Sequence, residues 1–223
     1  MCKLQGAPAN PAVWPVTFVF RNKDGGGCTS TAVGDQVIIT AAHCVGNGET
    51  ATAQLGPRGS VTIRCDHHPA YPSNISADFA LCFTSAKLEL SSKYEVVNKN
   101  PALNARGRNV ILLGYGCLTE GGADRNFGQL FQGSAKITNT ERSEYVVTAG
   151  ASAVCFGDSG GAAYSDEPIR RRIIAVNSRG DISRYSWLSV TSGSLFLDWA
   201  SRWRKNDGAS ICGIDTAAKN CHQ

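Results

Sequence analysis

Residues 154–163 read VCFGDSGGAA, and Ser159 lies within this run of small residues. Glycine permits tight turns and lets another chain approach the backbone closely. A glycine-rich turn alone would account for the composition. The chemical interpretation is that the stretch presents the Ser159 hydroxyl to a bound molecule, in which case the chain must also supply groups that activate this hydroxyl.

The composition limits the class of protein. The chain has 223 residues, of which 42% are hydrophobic and 18% charged, a balance typical of a globular protein. Its 24 glycines and 8 prolines are dispersed, which favours short strands joined by turns. The length suits one large all-β domain or two small lobes. A net charge of +4 is too small to indicate a nucleic-acid partner, and no apolar run is long enough for a membrane span.

Short segments rich in β-branched and aromatic residues predict strands along most of the chain. They read VTFVF, QVIITAA, FALCF, NVILLGYG, AKIT, EYVVTAG and RRIIAVNS. Only residues 193–205, GSLFLDWASRWRK, have apolar residues at helical spacing. We therefore expect an all-β fold with one C-terminal helix, and a join between lobes in the polar stretch 93–108.

Nine cysteines are many for this length. They include no C-x-x-C pair and no Cys/His cluster with zinc spacing, and His67 and His68 have no ligand partners nearby, so we expect no metal and no cofactor. Disulfides are the expected use, which indicates an oxidising compartment. We expect a secreted protein, extracellular or periplasmic, whose leader is absent because Met1 is followed by Cys2.

An activated serine needs a base and an acid that orients the base. His43 in TAAHC follows an apolar strand, and Asp78 in ADFALCF precedes another. Each residue alone has a structural alternative, as a core histidine or a turn aspartate. A buried aspartate requires a partner, which favours a joint role for the two.

The motifs TAAHC, ADFAL and GDSGG, in this order, resemble the trypsin/chymotrypsin family of serine proteases. LLGYG and LFLDWASRW are similar to further segments of that family. The resemblance covers roughly residues 4–206. It implies a single peptidase domain over 1–223 with two six-stranded antiparallel β-barrels. Residues 1–100 would form the N-terminal barrel, 101–206 the C-terminal barrel and helix, and 207–223 a cysteine-containing tail.

The resemblance also implies a serine endopeptidase that acts through an acyl-enzyme. Ser159 would be the nucleophile and His43 the general acid/base, with Asp78 orienting His43. The backbone N–H groups of Gly157 and Ser159 would form the oxyanion hole. Ser178 matches a serine that supports the buried aspartate.

Four positions bear on the pocket for the residue before the scissile bond. Ala153 and Val154 stand near its expected base, where trypsin-like enzymes carry an aspartate, so we expect no preference for Lys or Arg. Gly180 would leave one wall open, and Leu188 would make the pocket shallow. Small or medium apolar residues are therefore the expected substrates at this position.

Residues 178–180 are expected to offer a strand edge to the substrate. The charged residues nearby leave an alternative open. Arg179, Asp181 or Arg184 could project into the cleft and set a preference of its own.

The resemblance implies the pair Cys28–Cys44. The remaining expected pairs are Cys65–Cys82, Cys117–Cys155 and Cys212–Cys221, which leave Cys2 over. The connectivity does not follow from sequence alone.

Family members are often made as precursors whose new N-terminal amine pairs with the aspartate before the serine, here Asp158. A cut after Lys3 would free Leu4 for this pairing. A chain that keeps residues 1–3 would then be a zymogen with Asp158 unpaired. Alternatively, Cys2 could be the lipid-bearing first residue of a bacterial lipoprotein, or residues 1–3 could be foreign to the natural protein.

Two other functions remain open: a non-cleaving binding protein on a protease scaffold, and a serine esterase. The expected partners are a protein or peptide substrate and a proteinaceous inhibitor, and the expected state is a monomer.

Overall fold

The structure is a computed structural model, and it describes residues 6–117, 128–141, 144–167, 170–203 and 208–222. Thirteen strands and one α-helix lie in these ranges. The strands are β1 Ala7–Pro8, β2 Thr17–Asn22, β3 Gly27–Ala32, β4 Val37–Thr40, β5 Thr50–Gln54, β6 Ser60–His67, β7 Ala80–Phe83, β8 Asn109–Gly114, β9 Phe131–Glu141, β10 Tyr145–Ala149, β11 Ala162–Ser165, β12 Ile173–Gly180 and β13 Tyr185–Val190. The helix is α1 Ser194–Ala200, and short 3-10 turns span Ala42–Cys44, Gly56–Arg58, Ile75–Ala77 and Pro101–Asn104.

The first six-stranded barrel closes in the order β2-β3-β4-β7-β6-β5, with all neighbours antiparallel. Its interior is filled by large side chains with no exposed surface, such as Phe20, Ile38 and Leu81. Burying each of these contributes about 1.5–3 kcal/mol before entropy is counted. The apolar strand segments of the sequence therefore identify its core.

The second six-stranded barrel runs β8-β9-β10-β13-β12-β11 and closes because β8 also pairs with β11. The expected pair of antiparallel barrels is thus confirmed. The short strand β1 adds to this barrel, since Ala7 pairs with Gln132 and Pro8 with Phe131. A division of the chain at residue 100 assigns residues 7–8 to the N-terminal barrel. In the structure they lie outside that barrel. Proline lacks a backbone N–H, and an edge strand tolerates it.

The C-terminal helix is shorter than the apolar pattern over 193–205 predicts. Helix α1 covers seven residues and buries Phe196 completely, with its ring centroid 4.8 Å from that of Phe79. Trp203 lies beyond α1, and its indole N–H donates to Asp66 Oδ2 at 2.9 Å. The apolar spacing persists after α1 because these side chains still face the first barrel. No helix in the described ranges has the length and apolar character needed to cross a membrane.

The structure has four disulfides, which join the pairs named from the sequence. They are Cys28–Cys44, Cys65–Cys82, Cys117–Cys155 and Cys212–Cys221. Cys65 and Cys82 are direct partners in the register of β6 and β7. Cys2 lies outside the described residues.

Residues 208–222 form a tail that packs on the first barrel and on the segment between the barrels. The N–H of Cys212 donates to Val33 O at 2.7 Å, and the N–H of Val97 donates to Cys212 O at 2.9 Å. The N–H of Tyr94 donates to Asn220 O at 2.9 Å. The tail therefore holds the end of the first barrel and the interbarrel segment together.

Replacing Cys221 with alanine should lower the free energy of unfolding by about 2–3 kcal/mol, because the disulfide closes a short loop and restricts the unfolded chain. The two cysteines are nine residues apart. Urea unfolding followed by tryptophan fluorescence measures the change. An unchanged midpoint would mean that backbone contacts alone hold the tail.

Candidate active site

Two neighbouring strands of the first barrel bring His43 and Asp78 together. Thr40 and Ala80 are partners in the register of β4 and β7. His43 lies in the 3-10 turn that follows β4, and Asp78 lies just before β7. Because the strands are antiparallel, the end of one and the start of the other lie at the same edge of the barrel.

Asp78 accepts three hydrogen bonds through its carboxylate. His43 Nδ1 lies 2.7 Å from Oδ2, and the His43 backbone N–H donates to Oδ1 at 2.9 Å. Ser178 Oγ donates to Oδ2 at 2.6 Å. Because an ionised carboxylate only accepts, Nδ1 carries the proton in this pair and Nε2 is left as the acceptor.

Asp78 is buried, with 3% of its surface exposed. Burial acts to raise the pKa of its carboxyl, but the hydrogen bonds and charge of His43 and the hydroxyl of Ser178 outweigh burial and lower this pKa. Asp78 is therefore a carboxylate at neutral pH. It holds the imidazole of His43, whose side chain is 35% exposed.

Thr29 of the first barrel holds the loop that carries Ser159. Its backbone N–H donates to Ser159 O at 2.8 Å, and its hydroxyl donates to Gly157 O at 2.7 Å. The same hydroxyl accepts from the Tyr115 N–H at 3.0 Å. Thr29 could not be identified from the sequence, because the strand GCTSTA gives no sign of a contact across two barrels.

The peptide between Phe156 and Gly157 has a defined orientation. Phe156 O accepts from the Cys117 N–H at 2.9 Å. The N–H and C=O of a trans peptide point in opposite directions, so the Gly157 N–H is directed away from Cys117. Gly157 has φ 94°, a left-handed conformation that favours glycine.

The glycine after Ser159 is required by a close approach of the two barrels. Gly160 has φ 80°, and a Cβ placed there would lie 2.0 Å from Thr40 Oγ1 and 2.3 Å from Thr29 O. No side chain fits at these distances. Close packing of the backbone thus explains why small residues are needed next to Ser159 in VCFGDSGGAA.

A cavity of about 280 Å³ lies where the barrels meet. His43 and Ser159 both line it, from the first and second barrels respectively. The remaining lining residues are Val154, Cys155, Phe156, Ser178, Arg179, Gly180 and Ile182. Phe156 and Ile182 were not identified from the sequence, although Phe156 is a 58% exposed aromatic residue three positions before Ser159.

Ala153 and Leu188 do not line this cavity. Leu188 has no exposed surface and packs among the core residues of the second barrel, opposite Asn177 in the register of β12 and β13. Ala153 is 1% exposed. The hydroxyl of Ser186, two residues before Leu188, accepts from the Val154 N–H at 2.8 Å and braces this wall. Leu188 shares this core with Val154, which lines the cavity.

Asp158 is completely buried beside Ser159. Its Oδ1 accepts from the Gly116 N–H at 2.8 Å and its Oδ2 from the Cys155 N–H at 2.9 Å. Burial raises the pKa of its carboxyl to about 7, although both hydrogen bonds act to lower it. No cationic group of the described residues forms an ion pair with it, and Leu4 lies outside those residues.

Within the described part of the chain, one cluster has ligand atoms at metal-binding distances. Donor atoms of Cys28, His43 and Cys44 lie within 4.8 Å of one another. Both sulfurs belong to the Cys28–Cys44 disulfide and are not thiolates, so the cluster does not fit a metal ion.

Comparisons with known proteins agree with this architecture. The family model described as Trypsin matches residues 3–188. A solved structure of neuropsin, a serine protease expressed in the limbic system of mouse brain, is 20% identical, with a TM-score of 0.68 over 84% of this chain and 94% of neuropsin. An atomic-resolution structure of HBP is 18% identical, with a TM-score of 0.71 over 87% of this chain and 93% of HBP. A search of curated proteins gave no match. At these identities the two structures show the fold alone.

Proposed function

The chain belongs to the trypsin family, and on this premise we propose that it is a serine endopeptidase. The observation that carries the proposal is the chain of hydrogen bonds from Ser178 through Asp78 to His43, which ends at the cavity lined by Ser159. Members of this family hydrolyse proteins, so a protein or peptide is the expected substrate.

In the proposed reaction His43 Nε2 takes the proton of the Ser159 hydroxyl as Oγ attacks the scissile carbonyl carbon. The carbonyl π electrons move to oxygen, and a tetrahedral intermediate forms. His43 then gives this proton to the leaving amine, and the C–N bond breaks. Water, deprotonated by His43, releases the acyl group in the same way, which restores Ser159.

The intermediate's oxyanion would be bound by the N–H groups of Gly157 and Ser159. Neither N–H has a hydrogen-bond partner among the described residues, while the carbonyls of both residues are held by Thr29. Donors fixed before the reaction need no reorganisation when the charge appears. Removing one such donor in other enzymes lowers kcat by about 10²–10³-fold.

The cavity favours an apolar residue before the scissile bond. Val154, Phe156 and Ile182 contribute apolar walls, and none of the described residues that line it carries a carboxylate. A Lys or Arg side chain would lose hydration there without gaining a counter-ion. Small or medium apolar residues are the expected preference. Gly180 lines the cavity, and a Cβ there would lie 2.8 Å from Val154 O, so a glycine lets the backbone pack closely at this wall.

Disulfide-containing members of this family are typically extracellular, and the four disulfides here require an oxidising environment. Secretion, a monomeric state and control by a proteinaceous inhibitor are parts of the proposal. A precursor in which Leu4 is freed to pair with Asp158 is a further part.

Labelling with an organophosphonate tests the nucleophile. We expect one adduct on Ser159, located by peptide mapping, because the probe reacts with an activated serine and not with an ordinary hydroxyl. His43→Ala should remove the adduct without unfolding the chain. Absence of an adduct in the wild type, with or without residues 1–3, would leave a non-cleaving binding protein.

Cleavage of a denatured protein separates a peptidase from an esterase. A peptidase should release peptides from reduced, unfolded casein and lose this activity in Ser159→Ala. An enzyme that hydrolyses small esters but releases no peptides would be an esterase.

A further inference from the structure

Of three charged side chains on β12 and the turn that follows it, only one reaches the cavity. Arg179 lines it beside Gly180. The Asp181 carboxylate instead accepts N–H groups of its own turn, among them that of Arg184 at 2.8 Å. The Arg184 guanidinium lies 5.5 Å from the ring centroid of Tyr185. The structure thereby separates Arg179 from the other two candidates.

The positive charge of Arg179 has no carboxylate partner among the described residues. Its Nη1 donates to Ile75 O at 3.3 Å, with a weak contact to Ser178 Oγ at 3.5 Å. Its Cζ lies 5.7 Å from the ring centroid of Tyr145. A guanidinium carries five N–H donors, so most of them are available to a ligand.

Two carboxylates lie next to residues that Arg179 contacts, Glu144 before Tyr145 and Asp78 beside Ser178, and neither forms an ion pair with Arg179. Glu144 Oε2 accepts from Asn74 Nδ2 at 3.2 Å, and Asp78 is held by His43 and Ser178. A partly buried cation beside an apolar cavity attracts an anion more strongly than an exposed one, since less water screens the charge.

The position of Arg179 determines which part of a substrate would meet it. A substrate strand that adds to the edge at residues 178–180 in the antiparallel sense, as all strands of this barrel do, runs from Gly180 toward Ser178. Ser178 is the end that contacts Asp78. Substrate residues beside Arg179 therefore precede the scissile bond.

We propose that Arg179 is a specificity-determining residue that binds an Asp or Glu side chain in the substrate segment preceding the apolar residue at the scissile bond. This inference rests on the proposed peptidase function. The enzyme would then select segments with an acidic residue followed by an apolar one. Charge-assisted hydrogen bonds from guanidinium to carboxylate supply the discrimination.

The test uses peptides with an apolar residue at the scissile position and Glu, Gln or Lys at each of the preceding positions in turn. We expect kcat/KM to be about tenfold higher for Glu than for Gln at one of these positions, the effect of one partly exposed charged hydrogen bond. Arg179→Gln should abolish the difference, and Arg179→Glu should favour the Lys peptide. Arg179→Lys should keep part of the preference for Glu.

Arg184→Gln is the matched control, because it removes the same charge outside the cavity and should keep the preference. Equal rates for Glu and Gln peptides, or a preference that survives Arg179→Gln, would overturn the inference. Labelling Ser159 in each sample distinguishes a failure of the role of Arg179 from a failure of the proposed peptidase function. Labelled enzyme without an acidic preference contradicts only the role of Arg179, whereas absence of labelling and cleavage removes the peptidase function and this inference with it.

Discussion

Replacing Asp78 with asparagine should lower kcat by about 10⁴-fold while the protein stays folded, which is the magnitude known for this change in the trypsin family. Asparagine has nearly the same shape, but its amide N–H can donate a hydrogen bond to His43 Nδ1. His43 would then carry its proton on Nε2 and could not accept that of Ser159. The hydrogen bond of 2.7 Å between His43 Nδ1 and Asp78 Oδ2 determines which nitrogen of the imidazole carries the proton.

Hydrolysis of a peptide substrate at several pH values measures this effect, and a melting curve shows that the variant is folded. Ser178→Ala is the graded control, because Asp78 keeps both bonds to His43 and loses only the one at 2.6 Å. Its loss of activity should be far smaller. Equal activities of Asp78→Asn and the wild type would mean that His43 is not the base.

Stability should fall as the pH rises from about 4 to about 8, relative to an Asp158→Asn variant. The pKa of the Asp158 carboxyl rises from 3.8 in the unfolded chain to about 7 in the folded one because burial disfavours the charged form. Between these values the folded state binds more protons than the unfolded state. The stabilisation is therefore fully present below about pH 4 and is lost as the pH passes about 7.

The difference between the pKa of Asp158 in the folded chain and in the unfolded chain corresponds to a change of about 4 kcal/mol in the free energy of unfolding. Urea unfolding of the wild type and of Asp158→Asn across this range measures it, and the difference between the two curves cancels the contribution of other groups such as Asp78. If the stability of the wild type and of Asp158→Asn changes equally with pH, Asp158 is not a buried carboxyl without a charged partner.

The same curves test activation. If cleavage frees an N-terminal amine at Leu4 that pairs with Asp158, the ionised carboxylate gains a partner and its pKa falls from about 7. The cleaved form would then lose less stability as the pH rises than the uncleaved form. A pH slope that is the same before and after cleavage would remove Leu4 from the proposal.

The two-barrel fold could be predicted because its signals are local. TAAHC, ADFAL and GDSGG each lie within a few residues, and each joins a buried strand to a polar side chain. The order of these motifs along the chain is the basis of the resemblance to the family. The strands next to the motifs belong to the two barrels.

Features that depend on contacts across the molecule could not be predicted. Thr29 contacts Gly157 and Ser159 only because the barrels pack together. Ile182 reaches the cavity with φ 58°, a strained conformation for a β-branched residue that no sequence pattern signals. The family resemblance is weak around Leu188, and it predicts that this side chain lies in the pocket. In the structure, the alternation of side chains along β13 directs Leu188 into the core.

The docking of residues 208–222 has a consequence for biogenesis. The tail supplies the Cys212 N–H that caps Val33 O, and Ser210 O fits against Gly34, where a Cβ would lie 2.1 Å from that oxygen. A ribosome makes the first barrel long before it makes these residues. The N-terminal half would therefore complete its packing only after residues 208–222 have been made, and until then the nascent chain would be exposed to quality-control proteases.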